Sequence, residues 1–274
     1  QLLQKCPSFH NGILRVTRAQ YCAYFTQAQG GVMICLCPGE RPLPDTERKE
    51  KRTNRLERIG MEETKMKIAV VCANGKAGKL LVREALSRGL DVTAIARGEN
   101  ASEARSFVKK DLFDLTAKDL QGYDAVVDAF GAWTPETIGG IPKAVEHLCG
   151  LLSGTETRLL VVGGAGSLYV NPEHTLCVAD GADFPDAFKP LAAAHDEALK
   201  LLRTRSDVRW TYLSPAADFQ AEAPRTGHYR LGGEELTLSA KGESVISYAD
   251  YAIAMVDEIV SGQHIGQRIS AVQA

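Results

Sequence analysis

The sequence predicts an α/β fold, a single domain in which a mainly parallel, doubly wound sheet is covered by helices on both faces. Three observations predict it. From Met66 onward, short β-branched apolar runs alternate with stretches of helical periodicity. The first run enters its helix through a small-residue turn, Cys72-Ala-Asn-Gly-Lys-Ala-Gly78. A second β-branched run follows within about 30 residues, so the opening is a βαβ unit with a right-handed crossover.

Residues 67–73 form the first strand, apolar after Lys67, as expected of a strand covered on both faces. In residues 77–88, Leu80, Leu81, Ala85 and Leu86 recur at helical spacing. Residues 91–96 are the second strand, and 106–108, 125–129, 158–162 and 210–213 continue the alternation. The interval from Arg97 to Ser106 is too short for a full crossover helix, which shortens that connection. Helices are expected at 141–152, 191–203 and 248–259. Gly232-Gly233, between Tyr229-Arg-Leu and Leu236-Thr-Leu, predicts a late hairpin.

Composition narrows the function classes. The chain has 274 residues, 45% apolar and 24% charged, with formal net charge −2. That average covers unlike parts: residues 1–65 hold 11 Lys/Arg against 7 Asp/Glu, leaving the rest at −6. A net-acidic body argues against a nucleic-acid partner. No apolar stretch nears the roughly 18 residues of a membrane span. Seven cysteines, irregularly spaced, do not read as a disulfide framework, and Cys35-x-Cys37 without a second pair is a poor zinc signal. Reduced thiols in a cytoplasmic protein without a metal site are the expectation.

Residues 1–65 are read as a poorly folded extension and 66–274 as the domain. Residues 1–60 show neither helical period nor bounded strand alternation and end in a charged run from Asp45 to Arg58. Arg15 and Arg18 interrupt any secretory apolar core. Two glutamate codons just upstream of Met66 would suit a ribosome-binding site, so the expectation is upstream sequence read in frame, with an amphipathic targeting arm as the alternative.

The turn carries the first chemistry. A side-chain-free backbone lets a pyrophosphate approach, and the helix N-terminus offers unpaired N–H donors and partial positive charge. Ala73, Asn74, Gly75, Lys76, Ala77 and Gly78 are the candidates, although Cys72 stands where a G-x-x-G-x-x-G pattern begins; that substitution is tolerable if the Cys72 backbone angle is negative. The bland alternative is a plain strand-to-helix turn. At the end of the second strand, Arg97 stands where an NAD-selective site would carry an acid, and no carboxylate follows until Glu99. A guanidinium there would clamp a 2′-phosphate, favouring NADP(H) over NAD(H); the alternative is a solvated surface arginine. Asp111 and Leu112 follow the third strand, where a carboxylate would accept from an adenine amino group.

From Met66 to the C-terminus the sequence resembles the atypical short-chain dehydrogenase/reductase proteins of NAD(P)H-binding type, the group that includes biliverdin-IXβ/flavin reductases and NmrA-like proteins. The resemblance rests on the 67–78 strand and turn, Arg97, Asp111-Leu112, Asp128-Ala-Phe-Gly131, Val162-Gly-Gly-Ala-Gly-Ser167, Ser214-Pro215 and the Tyr248-Ala-Asp250 helix start. It implies a Rossmann-type fold and a nicotinamide cofactor. Phe130 and Gly131 would border the nicotinamide ribose, and Gly164 to Ser167 the reacting face. None of the eight tyrosines has a lysine four residues later, so the acid pair common among short-chain dehydrogenases is missing. A flavin- or quinone-like acceptor, able to take its proton from water, suits that absence. Ser167, Tyr169 and His195 are the candidate catalytic residues, with His174 nearby; the imidazole of His195 is expected to titrate near physiological pH. The partner is a small-molecule acceptor, bound by a monomer or homodimer. The competing reading is a non-catalytic NADP(H) sensor of NmrA-like type.

Overall fold

A computed structural model describes residues 21–28, 31–38 and 65–274, in two units that divide after Thr64. In the first unit, β1 (Tyr21–Ala28) pairs antiparallel with β2 (Gly31–Pro38), Tyr21 opposite Pro38 and Ala28 opposite Gly31. This corrects the expectation of no strand within residues 1–60: two eight-residue runs of β-formers flank Gln29-Gly30 and can close on each other locally. The side chains of Cys6, Cys22, Cys35 and Cys37, and the segments read as targeting or upstream sequence, lie outside the described residues.

The second unit has the expected architecture. Its strands are β3 (Lys67–Val71), β4 (Asp91–Ala96), β5 (Ser106–Lys109), β6 (Ala125–Asp128), β7 (Arg158–Val162), β8 (Arg209–Ser214), β9 (Asp218–Gln220), β10 (Tyr229–Gly232), β11 (Val245–Ser247) and β12 (Gln267–Gln273). Its helices are α1 (Lys76–Ser87), α2 (Pro135–Ile138), α3 (Gly140–Leu152), α4 (Lys189–Arg203) and α5 (Tyr248–Ser261). Eight strands form one sheet in the order β10-β12-β8-β7-β6-β3-β4-β5, parallel except for β10 against β12. β4 connects to β5 without a helix, as the short interval required. Chain direction across the sheet reverses between β3 and β6, and that switch point is where an open parallel sheet presents its ligand cleft.

Strand alternation builds two cores from one sheet. Ile68, Val70, Ala125, Val127 and Leu160 face one layer, where α1 and α5 contribute Leu81, Val82, Ala252 and Met255. Ala69, Val71, Val126, Leu159 and Val161 face the other, against Val145 and Leu148 of α3 and Leu199 and Leu202 of α4. Ser247 caps α5 by accepting from Asp250 N at 3.0 Å, and Gly262 closes it with φ +62°.

The predicted late hairpin does not form. Tyr229–Gly232 pairs with β12 instead, Tyr229 opposite Gln273, while Leu236 N donates to Tyr169 O at 2.8 Å. The sheet edge at β12 offers a full ladder, and this outcompetes a short local hairpin.

Candidate functional site

At the switch point, β3 ends in the turn that the sequence singled out. Cys72 has φ +59°, so the left-handed region that favours glycine is held here by a cysteine, and the negative angle on which the sequence reading made the substitution tolerable is absent. The strain is held in place by packing. Ala73 is fully buried and donates to Ile95 O at 3.1 Å, and Gly75 N donates to Cys72 O at 3.0 Å. A Cβ on Gly78 would sit 2.7 Å from Cys72 O and 2.8 Å from Ala73 Cα, so only glycine lets α1 pack this closely on the turn. Asn74 ties the turn sideways: its Nδ2 donates to Glu99 O at 2.7 Å and its Oδ1 accepts from Ala101 N at 2.9 Å.

The end of α1 is chemically open. Gly75 is its N-cap and supplies no side-chain cap, and the first backbone bond is Lys79 N to Gly75 O. The amides of Lys76, Ala77 and Gly78 therefore have no acceptor among the described residues. No acidic side chain occupies the first turn to neutralise them. Lys76 Nζ reaches Glu222 Oε1 at 2.8 Å, which holds its ammonium above the usual range.

Arg97 directly follows β4 with its side chain 82% exposed and makes no hydrogen bond among the described residues. Its Nε lies 3.5 Å from Asp111 Oδ2. The nearby acid is thus Asp111 rather than Glu99, which pairs with Lys109; this corrects the reading from chain order, because β5 lies beside β4 and brings Asp111 across. Asp111 also accepts from Phe113 N at 2.9 Å, capping the short turn Leu112–Asp114, and the Leu112 side chain enters the core.

The end of β6 contributes Asp128, and the segment just after it Phe130 and Gly131. The Phe130 ring meets Phe113 edge-on, with centroids 6.2 Å apart, and the exposed Trp133 follows Gly131. Asp128 received no role in the sequence reading. It is 3% exposed, lies opposite Val71 and Val161, and accepts one bond, from Phe130 N at 2.9 Å. Burial pushes its carboxyl up to about 7. Burial and the neighbouring Asp128 push the Cys72 thiol up to about 12, so it is no nucleophile. An acid closing an otherwise apolar strand was the visible signal.

The remaining candidates lie past β7. Gly164 N donates to Tyr212 Oη at 2.9 Å, and Tyr212 Oη donates to His195 O at 3.2 Å. His195 packs against Gly164, and burial lowers its imidazole to about 4. The expected titration near physiological pH is corrected: desolvation keeps this ring neutral. Ser167 and Tyr169 are drawn the other way. Arg268 of β12 donates from Nη1 to Ser167 Oγ at 3.4 Å and lies over the Tyr169 ring at 5.9 Å. Tyr169 stacks on His174, whose Nε2 is 2.8 Å from Glu235 Oε1. The structure joins the β3 turn, Arg97, Asp111 and the 128–131 segment along one row of strand ends, but gives Ser167 and His195 no hydrogen bond to each other. Among the described residues, no cluster of ligating side chains could hold a metal. None of the described helices is long and apolar enough to cross a membrane.

Comparison with known proteins fits this arrangement. Residues 72–260 match the model of a family described as NAD(P)H-binding. The chain belongs to the NAD(P)H-binding family. YwnB of Bacillus subtilis, whose function is uncharacterized, is 43% identical over 211 residues, covering 76% of this chain and 98% of YwnB. A Streptococcus pneumoniae structure provisionally named an NADH-flavin reductase shares 54% identity with TM-score 0.75, over 76% of this chain and all of that one. A Bacteroides thetaiotaomicron structure provisionally named an epimerase shares 33% identity with TM-score 0.67, over 77% of this chain and 98% of that one. Like those relatives, this member of the family has the Rossmann-type fold, and its matched region opens at the β3 turn.

Proposed function

We propose that this chain is an NADPH-dependent reductase of a small conjugated acceptor, flavin- or quinone-like. The observation that carries the reading is the uncapped N-terminus of α1 at the β3/β6 switch point, with three amides lacking an acceptor among the described residues and no acid in the first turn. Such an end suits a pyrophosphate, and its macrodipole contributes roughly 0.3–1 kcal/mol per charge when exposed. The name of the Streptococcus pneumoniae relative supports the acceptor class.

In this reading, Gly75 and the amides of Lys76, Ala77 and Gly78 hold the pyrophosphate, and Lys76 leaves Glu222 to add charge. The exposed Arg97 receives the 2′-phosphate with its two free terminal nitrogens, with Asp111 and Leu112 beside the adenosine. Phe130 and Gly131 border the nicotinamide ribose, Gly164 lies against the cofactor at its reacting face, Tyr169 walls the acceptor, and Ser167 donates a hydrogen bond to it. When bound, the cofactor supplies a hydride. The neutral His195 shapes the pocket, and the acceptor takes its proton from water. Holding two rings in contact then supplies most of the rate. The functional unit in this proposal is residues 66–274, free of any nucleic-acid or membrane partner.

The test is NADPH and NADH oxidation by the full chain, with and without free flavins and quinones, alongside binding by protein fluorescence. Acceptor-dependent oxidation faster with NADPH is expected. Tight NADPH binding without turnover on any acceptor would favour the sensor reading, which the neutrality of His195 and the absence of a Tyr-x-x-x-Lys pair also suit. No binding of either coenzyme would remove both.

A further inference from the structure

Arg268 of β12 carries a buried charge that points at a candidate catalytic group, Ser167. Its side chain is 0% exposed. Its Nε donates to Glu234 Oε2 at 2.9 Å, and its Nη2 donates to the same carboxylate, to Glu234 O at 3.0 Å and to Ser167 O at 3.3 Å. Nη1 is left for Ser167 Oγ, at 3.4 Å. Arg203 of α4 donates to Glu234 Oε2 at 2.6 Å, so two guanidinium groups share one carboxylate and the cluster carries one net positive charge. Of the other charged groups on the surrounding elements, Lys200 pairs with Asp196 at 2.7 Å and His174 with Glu235, Asp180 accepts from Cys177 N at 2.8 Å, Arg230 donates to Leu238 O, and Glu197 of α4 has no ion-pair partner among the described residues. Among the described residues, Ser167 Oγ makes no other hydrogen bond.

A guanidinium has no acceptor and never gives up its charge. A hydroxyl that accepts from it cannot donate back to it, so the hydroxyl's own proton is turned away from the guanidinium and is available as a donor. Arg268 also holds the Ser167 carbonyl and the 234–236 segment, so the serine is pinned at both its backbone and its side chain.

We propose that Arg268 is the positioning residue for the Ser167 hydroxyl: from β12 it occupies the oxygen's acceptor side and lends it positive charge, so that the hydroxyl proton faces the bound acceptor. The catalytic part of this rests on the reductase reading above. The pairing itself does not. Hydroxyl and cation thus come together across 101 residues of chain, whereas a Tyr-x-x-x-Lys pair places them one helical turn apart.

A thiol in place of the hydroxyl reports the cation without any turnover. In the full-length Ser167→Cys chain, the pH dependence of alkylation at residue 167, followed by site-resolved mass spectrometry, should show half-ionisation about one pH unit below the ordinary thiol value. Adding Arg268→Gln should return it to that value. The native thiols Cys72 and Cys149 are pushed the opposite way by burial and serve as internal references. An ordinary titration at residue 167 with Arg268 intact would overturn the proposal, and that arm needs no change at Arg268. A kinetic cycle tests the consequence. Arg268→Lys should lower kcat about tenfold with KM for NADPH unchanged, and should add nothing in a Ser167→Ala background; an equal loss in both backgrounds would show a merely structural role and overturn it. A lowered thiol titration in a chain that reduces no acceptor would leave the pairing standing and remove the reductase reading.

Discussion

The two halves of the strand-end row are assembled differently. On the β3–β4–β6 side, Cys72 to Gly78 form one continuous turn, and its nearest supports, Ile95 and Glu99, lie within about one βαβ unit. On the β7–β8–β12 side, Ser167 is held by Arg268, Tyr169 by the 234–236 segment, and Gly164 by Tyr212. One half is a motif and the other is a meeting of distant segments. A dinucleotide is a constant ligand that a local turn can hold, while an acceptor site can change with its loops without disturbing that turn.

The largest effects should come from crowding each half at its closest approach. Gly78→Ala puts a methyl against the backbone of Cys72 and Ala73, and Gly163→Ala puts one 2.3 Å from the Tyr212 ring and 2.9 Å from Leu213 O. Each should cost about 3 kcal/mol in denaturant unfolding. Their functional outcomes should diverge: the first loses NADPH binding by fluorescence, while the second keeps binding and loses turnover. Equal loss of NADPH affinity in both would erase the division.

Next in size is Asp128, on the boundary between the halves. Its folded pKa, about 7, lies above the ordinary 3.8, so between those values the folded chain holds a proton that the unfolded chain has released. Stability from this group therefore falls as pH rises from about 4 to 7, by roughly 2–3 kcal/mol between pH 5 and 8. Asp128→Asn should remove that slope and be more stable than the parent at pH 8. His195 has the opposite sign, since its neutral form is the folded one: its contribution is intact above pH 6.5 and is lost as pH falls toward 4. An unchanged pH-stability profile in Asp128→Asn would show that the carboxyl is solvated.

Arg97→Ala sharpens the cofactor half alone. NADPH affinity should fall about tenfold, the weight of one charge-assisted contact, with NADH affinity unchanged. Equal losses would remove the 2′-phosphate role and leave Asp111 as the ribose partner. Smallest is Cys72→Gly, which relieves the left-handed backbone and should raise unfolding stability by up to about 1 kcal/mol, measurable as a shift in the denaturant midpoint. No gain would mean that the buried thiol's packing offsets the strain.

Legibility in the sequence followed the same division. Residues 67–96 were readable because strand burial, glycine turn and helical period are local patterns. The same patterns found β5 to β8 and the helices α3, α4 and α5. The hairpin β1–β2 was missed because apolar alternation there is weak, and the late hairpin was wrongly placed because nothing local announced β12 as a partner for Tyr229–Gly232. Arg97 was found, but its true neighbour Asp111 was assigned only to the adenine, since their closeness depends on β4–β5 pairing. Arg268 gave no signal at all, as an arginine in an edge-region strand looks solvated until the 234–236 segment covers it.

Local chemistry, then, determined from the sequence alone the parallel α/β sheet, its strand-end turn and the class of cofactor such a turn accommodates. Tertiary structure decided the protonation and company of the side chains around it: a neutral His195, a carboxyl at Asp128 titrating near 7, and a serine set against a buried guanidinium. The physical reason is that periodicity is encoded over a few residues, whereas desolvation and charge pairing depend on every segment that folds over a site.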